Sequence, residues 1–106
     1  MTAYVIPWQE AADFQFEVAL DRIVYLMRAR WNDYSKSWGL DISSRASTPL
    51  IMGIRVVANY DLLLGMNAPE YPPGMLVAIG EEPNYLSFLS GATDLTYIPE
   101  EVVRAL

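Results

Sequence analysis

The sequence predicts a mainly β domain: a small antiparallel barrel or sandwich built on a four-strand meander, with short accessory helices. Three observations carry this expectation. Residues 14–20 and 23–31 alternate between two kinds of side chain with period two, the period of strands that bury one face. Turn-forming clusters recur at intervals of about 8–12 residues. The chain has 106 residues and is 53% apolar, which suits one domain with a real core.

The elements follow in order. Residues 3–6 form a short β-prone run stopped by Pro7. Phe14, Phe16, Val18 and Leu20 then share one face, with Gln15, Glu17 and Ala19 on the other. Asp21-Arg22 is the two-residue connection to a second strand. There Ile23, Tyr25, Met27, Ala29 and Trp31 share the dry side, and Arg28 and Arg30 lie on the wet side. Together these runs predict a β-hairpin. Asn32-Asp33-Tyr34-Ser35-Lys36 is a polar turn, followed by a strand in which Trp38, Leu40 and Ile42 alternate with Gly39, Asp41 and Ser43. A loop over residues 43–47 leads to Pro49 and a fourth strand over residues 50–57, in which Gly53 marks a bulge or a close backbone approach.

The remainder is less periodic. Residues 61–66 predict a single helical turn with Asp61 as N-cap and Gly65 near its exit. Residues 70–74 form a rigid proline-glycine turn before an apolar strand over residues 75–79. After a turn at residues 81–84, residues 85–90 predict a short helix ended by Gly91, and residues 93–98 a closing strand. Pro99 followed by Glu100 and Glu101 predicts a final short helix.

Composition bounds the chemistry. There is no cysteine and no histidine, which removes disulfides, thiolate nucleophiles, Cys-based metal sites and the commonest general base. The paired carboxylates Glu81-Glu82 and Glu100-Glu101 sit beside prolines and read as solvated turn residues. No spacing suggests an oxygen-only metal loop or a phosphate loop. No catalytic residue, metal or cofactor is expected. No apolar run approaches the ~18 residues of a membrane span, and the N-terminal residues lack the pattern of a secretory signal, so synthesis in a cytoplasm is expected.

Net charge is −6 at pH 7, which opposes general nucleic-acid binding. The first strands carry acids, the middle carries Arg22, Arg28, Arg30, Lys36, Arg45 and Arg55, and the last third is acidic again. Two readings are open: internal pairing between neighbouring strands, or complementary poles that guide assembly.

Trp31 and Trp38 fall on apolar registers and are expected in the core. Tyr71 and Tyr85, in turn regions, are candidates for an exposed contact surface. Val102, Val103 and Leu106 lie on a helix too short to stand alone, which must dock on its own domain or on a neighbour. Tyr71, Tyr85, Val102, Val103 and Leu106 therefore form the candidate assembly interface. The alternative function is a ligand-binding β module, for a glycan or a single strand, that uses exposed aromatics.

An ordered set of short motifs carries a family resemblance. These are Arg28-Ala29-Arg30-Trp31-Asn32, Trp38-Gly39-Leu40-Asp41-Ile42, Thr48-Pro49-Leu50-Ile51 and Gly53-Ile54-Arg55-Val56-Val57. They continue with Asp61-Leu62-Leu63, Pro73-Gly74-Met75-Leu76-Val77 and Leu95-Thr96-Tyr97-Ile98. In order and spacing the chain resembles the small baseplate plug proteins of contractile-tailed bacteriophages, of the type seen in a cyanophage baseplate. The resemblance covers residues 14–98, within one plug-like domain over residues 1–106, with residues 99–106 as a C-terminal extension. It departs at residues 43–47, where a turn richer in Asp and Gly is expected, and at the apolar residues 86–91.

The resemblance implies a virion structural protein in the tail baseplate that acts by protein–protein packing rather than as an enzyme. Implied partners are other baseplate proteins: the hub, the tail tube or its initiator, the tape-measure protein, or further copies of the chain. Neither direct nucleic-acid binding nor membrane association is implied.

Overall fold

The hairpin at the start of the meander closes on Asp21 and Arg22, both at positive φ (52° and 67°). A two-residue turn with this backbone matches the right-handed twist of the strands it joins. It connects β2 (Asp13–Leu20) to β3 (Ile23–Asn32), after a short β1 (Tyr4–Val5). The structure, a computed structural model, describes residues 3–66 and 68–105. β4 (Ser37–Ser44) and β5 (Pro49–Arg55) complete an antiparallel sheet in the order β2-β3-β4-β5, the meander read from the sequence. β6 (Met75–Gly80) and β7 (Thr93–Ile98) join β1 in a second antiparallel sheet, ordered β1-β7-β6. The short helices are α1 (Ser87–Ser90) and α2 (Glu100–Arg104).

Local chemistry fixes the turns. Asn32 Oδ1 accepts from the Tyr34 and Ser35 amides at 3.0 and 3.1 Å, which shapes the β3–β4 turn. Ser44 Oγ accepts from the Thr48 amide at 3.1 Å in the β4–β5 turn. Gly53 has φ of 72° where the β4–β5 register shifts, and a Cβ there would meet open space, so of the two readings of its position the irregular register holds and the close backbone approach does not. Asp41 Oδ1 accepts the Gly53 amide at 2.8 Å, and Asp41 also pairs with Arg30 at 2.7 Å. α1 ends at Gly91 in the left-handed conformation, φ 85°, as expected for a glycine helix exit.

The core lies between the sheets. Tyr25, Met27, Ala29, Trp38, Leu40 and Ile42 from the meander share one buried cluster with Leu76, Ala78, Leu95 and Tyr97. Trp38, only 1% exposed, anchors an aromatic group. It meets Trp8 and Trp31 edge-on at 5.0 and 5.4 Å and stacks on Tyr85 at 5.7 Å. Its indole N–H donates to the Asn84 carbonyl at 3.1 Å. Trp31 is half-buried and packs against the same core.

Residues 61–66 depart from expectation: they make successive turns and no helix. The Leu64 amide donates to the Asp61 carbonyl at 3.2 Å and the Met66 amide to the Leu63 carbonyl at 3.0 Å. Asp61 Oδ1 does accept the Leu63 amide at 3.0 Å, as an N-cap would, but also takes the Leu76 amide of β6 at 3.2 Å. The Leu62 amide donates to the Leu76 carbonyl at 2.8 Å. Anchoring to β6 replaces the bonds that would propagate a helix.

Internal pairing accounts for much of the charge pattern. Arg28 forks onto Asp13 (2.9 and 2.7 Å), and Arg45 reaches Glu17 at 3.6 Å. Lys36 holds Asp33 at 2.9 Å, and Arg104 pairs with Glu100. The Arg28 and Lys36 contacts hold the Asp13 and Asp33 carboxyls below the usual carboxylate range. Both carboxylates are exposed, so these pairs add little to stability.

Candidate assembly surface

An open groove with an apolar lining lies between the segment that follows Asp61 and α2. It has a volume of ≈ 630 Å³ and is lined by Leu63, Leu64, Met66, Tyr71, Met75 and Val103, among others. Leu64 is 63% exposed, although it follows the buried Leu62 and Leu63. Acid and base stand at the rim as Glu100 and Arg104.

A hydrogen-bond relay holds both walls. The Gly74 amide donates to the Tyr97 hydroxyl at 2.8 Å, and that hydroxyl donates to Asp21 Oδ2 at 2.5 Å. The same carboxylate oxygen accepts the Glu100 amide, the first of α2, at 3.1 Å. One aspartate in the β2–β3 turn thus fixes the start of α2 and, through Tyr97, the proline-glycine turn. Gly74 is required there: an added Cβ would run into the Ile98 carbonyl oxygen and lie 2.7 Å from the Tyr97 hydroxyl. Burial, followed by the Asp21 hydrogen bond, pushes the Tyr97 hydroxyl well above its ordinary pKa.

The structure brings Tyr71 and Val103 together in this groove and leaves Tyr85 elsewhere. Tyr85 is half-buried and packs on Trp31 and Trp38. Val102 is half-buried on α2, and Leu106 lies outside the described residues. Of the two docking modes open to the C-terminal helix, its start takes the first: Pro99 is buried and Glu100 is tied to Asp21. Leu64, Met66 and Met75 are surface residues that periodicity did not single out. The available signal was the run Leu62-Leu63-Leu64, since three consecutive side chains cannot all face one core.

For aromatic recognition, Trp38 is withheld from solvent and Tyr85 has one face covered by it. Trp31 lines a second, more polar groove with Arg30, Asn32, Asp33, Ser35 and Arg55.

Together these features define a small two-sheet β domain with an open apolar groove on one flank. A family model described as Cyanophage baseplate Pam3 plug gp18 matches residues 3–100. The chain belongs to this family of phage baseplate plugs. The match extends the motif resemblance toward both ends, taking in β1 and the first residue of α2. No curated protein sequence matches the chain. Among the described residues, no helix is long and apolar enough to cross a membrane.

Proposed function

We propose that the chain is a structural subunit of the phage tail baseplate that works by packing against neighbouring baseplate proteins, with the groove between the 61–74 loop and α2 as a principal contact. The observation that carries this is the convergence of Tyr71 and Val103 with the exposed Leu64 and Met66 on walls held by the Asp21–Tyr97 relay. A rigid, apolar, open groove gains from being covered by another surface. The hub, the tube or its initiator, and the tape-measure protein are the neighbours a plug position would offer.

Quantitative mass spectrometry of purified particles tests the role. The chain is expected at a small, fixed ratio to the other baseplate subunits. Its absence from intact tails would remove the proposal.

A further inference from the structure

Three strands of the meander carry Arg30, Gly39 and Arg55 side by side. The register pairs Arg30 with Gly39 and Gly39 with Arg55, on β3, β4 and β5. Directly paired residues of an antiparallel sheet share a face. Here it is the outer face, since the adjacent Ala29, Leu40 and Ile54 are buried. Neighbouring strands lie about 4.8 Å apart, so the two arginine backbones stand about 10 Å apart. Between them Gly39 contributes no side chain. The resulting notch is part of the groove of ≈ 540 Å³ that Asn32, Ser37 and Gly53 also line.

Nothing in the backbone calls for glycine at position 39. Its φ is not positive, it is in register with both neighbouring strands, and an added Cβ would lie no closer than 3.9 Å to the Arg30 carbonyl oxygen. A glycine inside a strand weakens it, and where no turn or bulge needs one it marks a place that a ligand or another chain approaches closely.

The charges around the notch leave one base over. Asp13 is held by Arg28, Asp41 by Arg30, Glu17 by Arg45 and Asp33 by Lys36. Arg55 is exposed and has no hydrogen-bonding or ionic partner among the described residues. Arg30 meets Asp41 through Nη2 alone, at 2.7 Å. Asn32 Oδ1 accepts two turn amides, which turns its Nδ2 group into the available donor. The notch therefore presents donors around one uncompensated positive charge.

We infer that this notch binds a carboxylate presented by an acidic segment of a different protein, with Arg55 as the pairing cation and Arg30 as the second donor. The Arg55 fork matches a carboxylate with two parallel bonds. The missing side chain at Gly39 lets the segment approach the sheet. Charge complementarity selects this occupant, and it rests on Arg55, the one strand arginine without an acid among the described residues. A nucleic-acid strand would have a single uncompensated cation to hold it against a net charge of −6. A second copy would bring the same −6. The contact adds to the packing role proposed above and rests on it for the protein nature of the partner.

The test is an NMR titration of the full chain with a capped Gly-Glu-Asp-Glu-Gly peptide, and with capped Gly-Gln-Asn-Gln-Gly as control. The acidic peptide is expected to shift the amides of Gly39, Gly53 and Arg55 saturably, with an affinity that falls as salt rises. Arg55→Gln is expected to weaken binding about fivefold or more. Arg55→Lys, which keeps the charge and loses the fork, is expected to restore part of it. Gly39→Val fills the notch and is expected to abolish the shifts while the melting temperature holds or rises, because a β-branched residue suits a strand. A lower melting temperature with binding unchanged in that variant would overturn the inference. So would no shift with the acidic peptide, equal shifts with the control, or unchanged affinity in Arg55→Gln. Equal shifts from acetate at matched carboxylate concentration, tighter binding of a single-stranded oligonucleotide, or concentration-dependent shifts without peptide and dimers in sedimentation would each overturn the stated partner. A chain present in tails whose notch ignores the peptide would sink this inference alone; a chain absent from tails whose notch responds would sink only the packing role.

Discussion

The Tyr97 hydroxyl lies 2.5 Å from Asp21 Oδ2, a contact between β7 and the β2–β3 turn that joins the two sheets. Because Asp21 also holds the Glu100 amide and Tyr97 also holds the Gly74 amide, this one contact positions both walls of the surface groove.

Breaking the relay should therefore cost stability and groove shape together. Tyr97→Phe leaves the Gly74 amide without its acceptor and Asp21 with only the Glu100 amide as donor, and is expected to cost about 1–3 kcal/mol in denaturant unfolding. Asp21→Ala is expected to cost a similar amount. The double variant should fall short of the sum by about 1 kcal/mol, since both changes remove the same bond. Additive losses would show that the two groups act independently.

Burial first, and the nearby Asp21 carboxylate second, raise the pKa of the Tyr4, Tyr25 and Tyr97 hydroxyls above the ordinary tyrosine value. The folded chain thus keeps protons that the unfolded chain releases above about pH 10. The associated stability is fully present below that pH and is lost as pH rises beyond it. Urea midpoints measured from pH 8 to 11 should stay level and then fall, and the fall should be shallower in Tyr97→Phe.

Trp38 is shielded, whereas Trp31 is half-buried and borders an open groove. Iodide quenching of fluorescence should lose amplitude in Trp31→Phe and keep it in Trp38→Phe. Truncating Trp38 to Ala should cost about 3–5 kcal/mol, as expected for a large buried aromatic. A quenchable fraction that vanishes with Trp38 would place it at the surface and favour aromatic ligand recognition.

The meander was legible because each strand buries one face, so the period-two pattern is written into residues 14–42 themselves. The Asp21-Arg22 connection was legible from its length even though neither residue is glycine, and Gly53 and Gly91 announced the bulge and the helix exit. The helical turn expected at residues 61–66 failed because its hydrogen bonds go to β6, a partner 15 positions away through Asp61 and Leu76. Tyr85 looked exposed because its turn is polar in sequence, yet its ring is held by Trp38, which sequence distance hides. For the groove, Tyr71 and Val103 were readable as surface candidates one by one. Their meeting was not, because it depends on Asp21 bonding residues near the other end of the chain.

The groove is where the packing role is tested most directly. Leu64→Glu combined with Val103→Glu puts two charges on its walls, at the exposed Leu64 and the half-buried Val103. The measurement is incorporation of this variant, in competition with wild type, into purified tails by quantitative mass spectrometry, with matched melting curves as the check on folding. A loss of incorporation of about tenfold or more is expected at a melting temperature close to wild type. Equal incorporation of the folded variant would contradict it.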